Sequence, residues 1–159
     1  MTIKFARLFD DVKLPTKRAE DAGFDIYARF DDDFITISPH QTYMFKTGII
    51  SAFSKDYVAI IKERGSTGTR GLGQRSGVID SGYRGEWLIP LTNHNDVPFV
   101  VAKNINQNFG DAIVYPYDKA ICQCLILELP DVQIEPVSVS DIQSIASTRG
   151  DGNLGSSGK

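Results

Sequence analysis

The segment from Lys62 to Asp80, KERGSTGTRGLGQRSGVID, gathers Lys62, Arg64, Arg70 and Arg75 around five glycines, with Glu63 the only acid before Asp80. Glycine admits φ > 0 and close approach of a ligand to the backbone. Successive N–H groups here can therefore form a concave anion site, with the Arg64 guanidinium and the hydroxyls of Ser66 and Thr67 beside it. Phosphate suits such a site. The spacing is not that of a Walker A loop, G-x-x-x-x-G-K-[ST], and a glycine-rich stretch taken alone is more often a solvated turn. Gly77-Val78-Ile79-Asp80-Ser81-Gly82-Tyr83-Arg84-Gly85-Glu86-Trp87 follows and reads as strand, tight turn, strand. Asp80 thus stands at the mouth of a hairpin beside an aromatic ring. Its carboxylate either caps the turn, the usual part for Asp before Ser-Gly, or orients and deprotonates a water next to a phosphate cradle.

Other chemistries find little support. Cys122 and Cys124, the only two cysteines, sit two apart, so on a strand they share a face and cannot bridge. They read as small core hydrophobes. His40 and His94 are isolated, and no Cys-x-x-Cys or His-x-x-x-His pair suggests a structural zinc or histidine-based catalysis. Gln123 lies between the cysteines and so faces the other way, toward solvent or a ligand.

The elements that must position these residues are short β-branched and aromatic runs cut by polar turns, at the spacing of a sandwich or barrel. Strands are expected over Ile3–Leu8, Phe24–Tyr27, Phe34–Ile37, Tyr43–Ile50, Tyr57–Lys62, Gly77–Asp80, Glu86–Leu91, Phe99–Lys103, Ala112–Tyr115, Ala120–Leu129 and Val132–Pro136, with a short helical turn within Val139–Ser147. Ser38-Pro39, Asn93 to Asp96 and Leu129-Pro130-Asp131 supply the turn chemistry between them. The chain of 159 residues has the size of one domain. Its formal charge of -3 does not describe a nucleic-acid-coating surface, although positive charge gathered locally still suits an anionic ligand. No apolar leader and no bilayer-length apolar run is present, so a soluble, cytoplasmic protein without nucleic-acid or membrane partners is expected.

Taken together, the motifs resemble those of the trimeric dUTPase family, from about residue 3 to the end of the chain. Ala22-Gly23-Phe24-Asp25-Ile26-Tyr27-Ala28 is similar to the family's first motif, Glu63-Arg64-Gly65-Ser66-Thr67-Gly68 to the second, and Gly77 to Gly85 to the third. Lys119-Ala120-Ile121-Cys122-Gln123-Cys124-Leu125 resembles the fourth, and Arg149-Gly150-Asp151-Gly152-Asn153-Leu154-Gly155-Ser156-Ser157-Gly158 the fifth. Ala-Gly-x-Asp alone is a weak signal; the third motif between the second and the terminal glycine-rich string is a strong one.

The resemblance implies an all-β, jelly-roll-like barrel over 1–148, a flexible lid over 149–159, and a homotrimer whose sites are shared between subunits. It implies hydrolysis of dUTP to dUMP and pyrophosphate with Mg²⁺, which Asp25 holds through water, and Asp80 as the base. Arg64, Gly65, Ser66, Thr67 and Gln123 would serve the phosphates. Gly77, Val78 and Ile79 would read uracil through backbone hydrogen bonds, with Tyr83 under the deoxyribose. Arg149 would meet the γ-phosphate and Leu154, Gly155 and Ser156 would close over the ligand.

The chain also departs from the family pattern. Gly65 stands where a serine usually follows the arginine, so either the Gly65 amide or the Ser66 hydroxyl meets the phosphates. The stretch from Arg64 to Asp80 is short, which places Gln74 where an Asn often holds the attacking water. Leu154 replaces a stacking Phe, and Asn104 to Asp118 looks like an insertion. Three rivals stand beside a dUTPase: a dCTP deaminase of the same fold, a non-enzymatic trimeric nucleotide-binding regulator, and a trimeric jelly-roll ligand. The third motif speaks against the first, the intact set of site residues against the second, and the terminal motif against the third.

Overall fold

The computed structural model describes residues 1–152. The apolar runs form β1 (Lys4–Arg7), β2 (Phe24–Ile26), β3 (Phe34–Ile37), β4 (Thr42–Lys46), β5 (Ile49–Ala52) and β6 (Tyr57–Lys62). A single helical turn, α1 (Gly65–Gly68), precedes β7 (Leu72–Gln74), β8 (Val78–Ile79), β9 (Leu88–Asn93), β10 (Phe99–Ala102), β11 (Ile113–Pro116) and β12 (Cys122–Glu128), and α2 (Val139–Ser144) follows. Four small sheets result: β1-β5, β11-β10-β3, β2-β12-β6-β8 and β4-β9-β7. Every pairing is antiparallel except β10 with β11. One apolar core joins the sheets, with Ile26, Phe45, Ile61, Leu91, Phe99 and Tyr115 among its members. The fold is mostly β, as the alternation predicts.

Four expectations need correction. The run Tyr43–Ile50 is two strands, because Gly48 adopts φ 70° and turns the chain from the sheet of β9 to the sheet of β1. A Cβ at Gly48 would lie 2.3 Å from Cγ2 of Val12, a stiff, buried, β-branched side chain. Gly48→Ala therefore combines left-handed strain with a core clash, and it should lower the unfolding free energy by about 2 kcal/mol or more in a denaturant titration. An unchanged midpoint would show that the kink tolerates a side chain.

The expected hairpin over Gly77–Trp87 is not a paired one. β8 joins β6 while β9 joins β4 and β7, so the turn passes between sheets. β7, hidden in the glycine-rich segment, pairs with β9 because Leu72 is a buried anchor amid small and polar residues. Finally, Val132–Pro136 forms no strand. Val132 and Ile134 are 71% and 93% exposed, and α2 beyond them has no buried residue. Their alternation provides one apolar face of a strand, but among the described residues it has no partner. The short helix itself is present, opened by a Ser138–Asp141 capping box.

The segment around the apparent insertion contributes an ordinary strand, β11, parallel to β10. The loop before it is exposed and shaped by Asn104 and Asn108, whose side chains accept from the Asn106 and Gly110 amides. Phe109 packs edge-on against Phe34, 5.1 Å between ring centres.

Candidate functional site

Register builds the first half of the site. Gln123 on β12 is paired with Asp25 of β2 on one side and with Lys62 of β6 on the other. Cross-strand partners project to the same side of a sheet, so these polar residues share the face opposite the buried Cys122 and Cys124. Gly23 makes room: a Cβ there would lie 2.6 Å from Oε1 of Gln123. The Gln123 amide donates to the Glu63 carbonyl at 2.7 Å and so ties β12 to the end of β6.

Directly after Glu63, Arg64 turns back across the sheet. Its Nε and Nη2 donate to the two Asp25 oxygens at 2.7 and 3.1 Å, a bidentate pair. Nη1 donates to the Ser66 hydroxyl at 3.0 Å, and Ser66 Oγ lies 3.1 Å from the Tyr115 hydroxyl. Partial burial works against the Arg64 charge, yet Asp25 outweighs it, and the guanidinium is held above its ordinary pKa. Thr67 is buried, and its hydroxyl interacts with both the N–H and the carbonyl of Arg64. Its side chain therefore shapes the turn. Gly65 faces open space, where a Cβ would meet nothing within 4 Å.

Asp25, Arg64, Gly65, Ser66 and Gln123 line one cleft of about 550 Å³, together with Thr16, Lys17, Arg18, Asp21, Ala22 and Gly23. The Lys17–Asp21 loop was not singled out from the sequence, since two basic residues in a polar loop carry no motif. The cleft has the composition of an oxyanion site: the cationic donors Lys17, Arg18 and Arg64 and the hydroxyls of Thr16 and Ser66 outnumber the two carboxylates, Asp21 and Asp25. Among the described residues no group of three or more His, Cys, Asp or Glu gathers to hold a metal directly. The donor set instead fits a hard cation held through water at Asp25, whose oxygens keep lone pairs beyond those given to Arg64.

The second half lies at the other edge of the sheet. Val78, Ile79, Asp80 and Tyr83 surround a hollow of about 280 Å³ with Met44, Ser76, Leu88 and Pro90. The Asp80 carbonyl, not its side chain, closes the turn by accepting from the Tyr83 amide at 3.1 Å, and Asp80 is exposed. Tyr83 is fixed by its hydroxyl, which donates to the Glu86 carbonyl at 3.0 Å, and by Gly85, where a Cβ would lie 2.3 Å from the Tyr83 hydroxyl oxygen. Trp87 anchors the far side, its Nε1 donating to Ser51 Oγ at 3.0 Å from a fully buried position. Gly77 is obligatory for the approach of β8, since a Cβ would lie 2.7 Å from the Ile61 carbonyl.

Gln74 sits between the halves without lining either cleft. Its backbone N–H donates to the Glu63 carboxylate at 3.0 Å, and its side chain packs beside Gly77. That N–H, with Glu63's own amide and Lys62 alongside, holds the Glu63 carboxyl below its ordinary pKa. Burial pushes the Cys124 thiol up to about 12 and raises Cys122 likewise, so neither offers a thiolate at neutral pH.

One chain does not bring all the expected residues together. With the order β2-β12-β6-β8, Asp25 and the β8 turn are separated by three strand spacings, roughly 14 Å. Arg149 is exposed, its Nε donating to the Gly152 carbonyl at 3.3 Å, and it touches neither cleft. Leu154, Gly155 and Ser156 lie outside the described residues.

A sequence model of the dUTPase family matches residues 11–107. The deoxyuridine 5'-triphosphate nucleotidohydrolase of Gloeobacter violaceus is 34% identical over 160 residues, covering 98% of this chain and 96% of its own. Its counterpart in Mycobacterium tuberculosis strain H37Rv is 33% identical over 163 residues, covering 99% and 95%. Among solved structures, the G164S mutant dUTPase of Staphylococcus bacteriophage 80alpha with dUpNHpp has a TM-score of 0.78 to this chain at 19% identity, covering 99% of each. At that identity the last likeness speaks for the fold, while the family match takes in the first three motifs and the curated relatives run over nearly the whole chain: the chain belongs to the dUTPase family.

Proposed function

We propose that this chain hydrolyses dUTP to dUMP and pyrophosphate by attack of an Asp80-activated water on the α-phosphorus, in sites shared between the subunits of a homotrimer. The observation that carries the reading is the cleft in which Asp25, Arg64, Ser66 and Gln123 converge. A triphosphate brings about four negative charges, and water attacks it only when that charge is offset and the approach is in line. Arg64 offers N–H groups not used by Asp25 and Ser66, and the open backbone at Gly65 admits a phosphate oxygen closely. Both the Gly65 amide and the Ser66 hydroxyl remain candidates for that contact. Mg²⁺, held by the phosphates and through water by Asp25, would offset further charge when bound.

Asp80 supplies what the cleft lacks, an exposed carboxylate free of the turn it stands in. Val78 and Ile79 line the hollow beside it, and the Tyr83 ring offers a surface for a sugar. Arg149 and the residues after it would complete the enclosure around the terminal phosphate and the base. The roughly 14 Å between the two halves within one chain favours completion of each site by another copy. The uncovered apolar residues Val132, Ile134 and Val139 favour the same conclusion, because a chain that keeps them in water forfeits their burial energy. Among the described residues no helix is long and apolar enough to cross a membrane.

The test is pyrophosphate release from each deoxynucleoside triphosphate and from UTP, with and without magnesium. Cleavage of dUTP should exceed that of the others by about 100-fold or more and should fall when magnesium is chelated. Release of ammonia from dCTP, or preference for any other nucleotide, would overturn the reading.

A further inference from the structure

We propose that Tyr115 is a positioning residue of the phosphate cleft, its buried hydroxyl drawing the Ser66 proton so that a Ser66 lone pair is held toward Arg64. This rests on the reading of the cleft as the phosphate site of the proposed reaction.

The direction of each proton follows from the partners. Tyr115 Oη lies 2.8 Å from the Ala120 carbonyl, which only accepts, so the single phenolic proton goes there. Toward Ser66, at 3.1 Å, the Tyr115 oxygen is then the acceptor, and the Ser66 proton points to it. Ser66 is thereby left to accept from Arg64 Nη1 at 3.0 Å, the one role a guanidinium allows its partner. The chain Arg64, Ser66, Tyr115, Ala120 is consistent at every link, with no proton contested.

Tyr115 is well placed to impose this order. It is 1% exposed, its strand β11 is locked to β10, and its ring packs against Phe99 with 6.1 Å between centres. The Arg70 guanidinium lies over the ring, 5.9 Å from its centre, and Arg70 Nη1 donates to the Ser66 carbonyl at 2.7 Å. Ser66 is therefore gripped at its hydroxyl and at its carbonyl, and both grips lead to Tyr115. The link also joins the turn after β6 to the entry of β12, three residues before Gln123, so two parts of the cleft share one anchor. Without the phenolic oxygen, the Ser66 hydroxyl would rotate freely and Arg64 would lose a fixed acceptor. The guanidinium N–H groups left for phosphate would then be less well aimed.

Tyr115→Phe removes one oxygen and keeps the ring, which separates positioning from packing. Two quantities decide the matter: the Kd of dUpNHpp by calorimetry with magnesium present, and KM and kcat for dUTP. Tyr115→Phe should raise Kd and KM by about fivefold, the worth of one hydrogen bond, with kcat changed less than about twofold. In a Ser66→Ala background the same substitution should have no further effect on Kd, because the chain is already cut. An equal shift in both backgrounds, no shift in Kd, or a Tyr115→Phe protein that fails to fold would each overturn the proposal and leave the hydroxyl a purely structural part. A wild-type protein that does not cleave dUTP would remove the underlying reading as well. Cleavage of dUTP without coupling between Tyr115 and Ser66 would remove only the role of Tyr115.

Discussion

Asp80→Asn is expected to lower kcat for dUTP by at least about 100-fold, the range of lost general-base catalysis, while dUpNHpp binds within about threefold of wild type. The expectation rests on how the turn is built. It is closed by the Asp80 carbonyl to the Tyr83 amide, and the downstream chain is pinned by Trp87, so an amide in place of the carboxylate disturbs neither. The donors of the phosphate cleft, Arg64, Ser66 and Gln123, are left as they are, so binding should persist. Quenched-flow or steady-state pyrophosphate release, with calorimetry of the analogue, separates the two effects. Turnover within tenfold of wild type would reduce Asp80 to a turn residue, and loss of analogue binding in parallel with turnover would make it a binding residue instead of a base.

Arg64→Lys is the second large effect, because it keeps the charge and loses the fork. Arg64 serves three acceptors at once: both Asp25 oxygens and the Ser66 hydroxyl. An ammonium on a flexible stem cannot meet that planar arrangement. In the substituted protein Asp25 loses a bidentate partner, Ser66 its donor, and the phosphates a pre-aimed pair of N–H groups. A fall in kcat/KM of about 100-fold or more is expected, carried by KM as well as kcat. The melting curve distinguishes this from unfolding, since the partly exposed ion pair contributes little to stability. A variant with kcat/KM within tenfold of wild type would mean that positive charge alone suffices in the cleft.

Much of the site was legible because its residues lie in short strings whose chemistry is local. The glycines and arginines of the segment after β6, the Asp80-Ser81-Gly82 turn and the alternation that turns Gln123 away from Cys122 and Cys124 can all be read one window at a time. The cross-strand neighbours could not. Nothing in the sequence near Asp25 says that Gln123 will lie beside it and Lys62 one strand further on, because register is settled by the packing of distant runs. Tyr115 escaped for the same reason: its strand looked like ordinary core, and its hydroxyl gains meaning only when Ser66 arrives from the other side of the chain.

The errors in the fold have equally specific causes. Tyr43 to Ile50 is composed almost entirely of strand formers, and only Gly48 hints at the bend; its left-handed backbone is what divides the run. The hairpin over Gly77–Trp87 has all the local marks of a paired turn, yet β8 finds a better partner in β6 and β9 in β4. In Val132–Pro136 the alternation alone suggested a strand, but no segment among the described residues pairs with it.

That uncovered arm reaches beyond the site. A newly made subunit carrying Val132, Ile134, Val139, Ile142 and Ile145 in water has its tightest packing still ahead of it, so on the proposed assembly the last step of folding is an encounter between molecules. Refolding should then slow as the solution is diluted, in contrast to the concentration-independent recovery of a self-sufficient domain. A melting temperature would describe this protein only when the subunit concentration is stated with it.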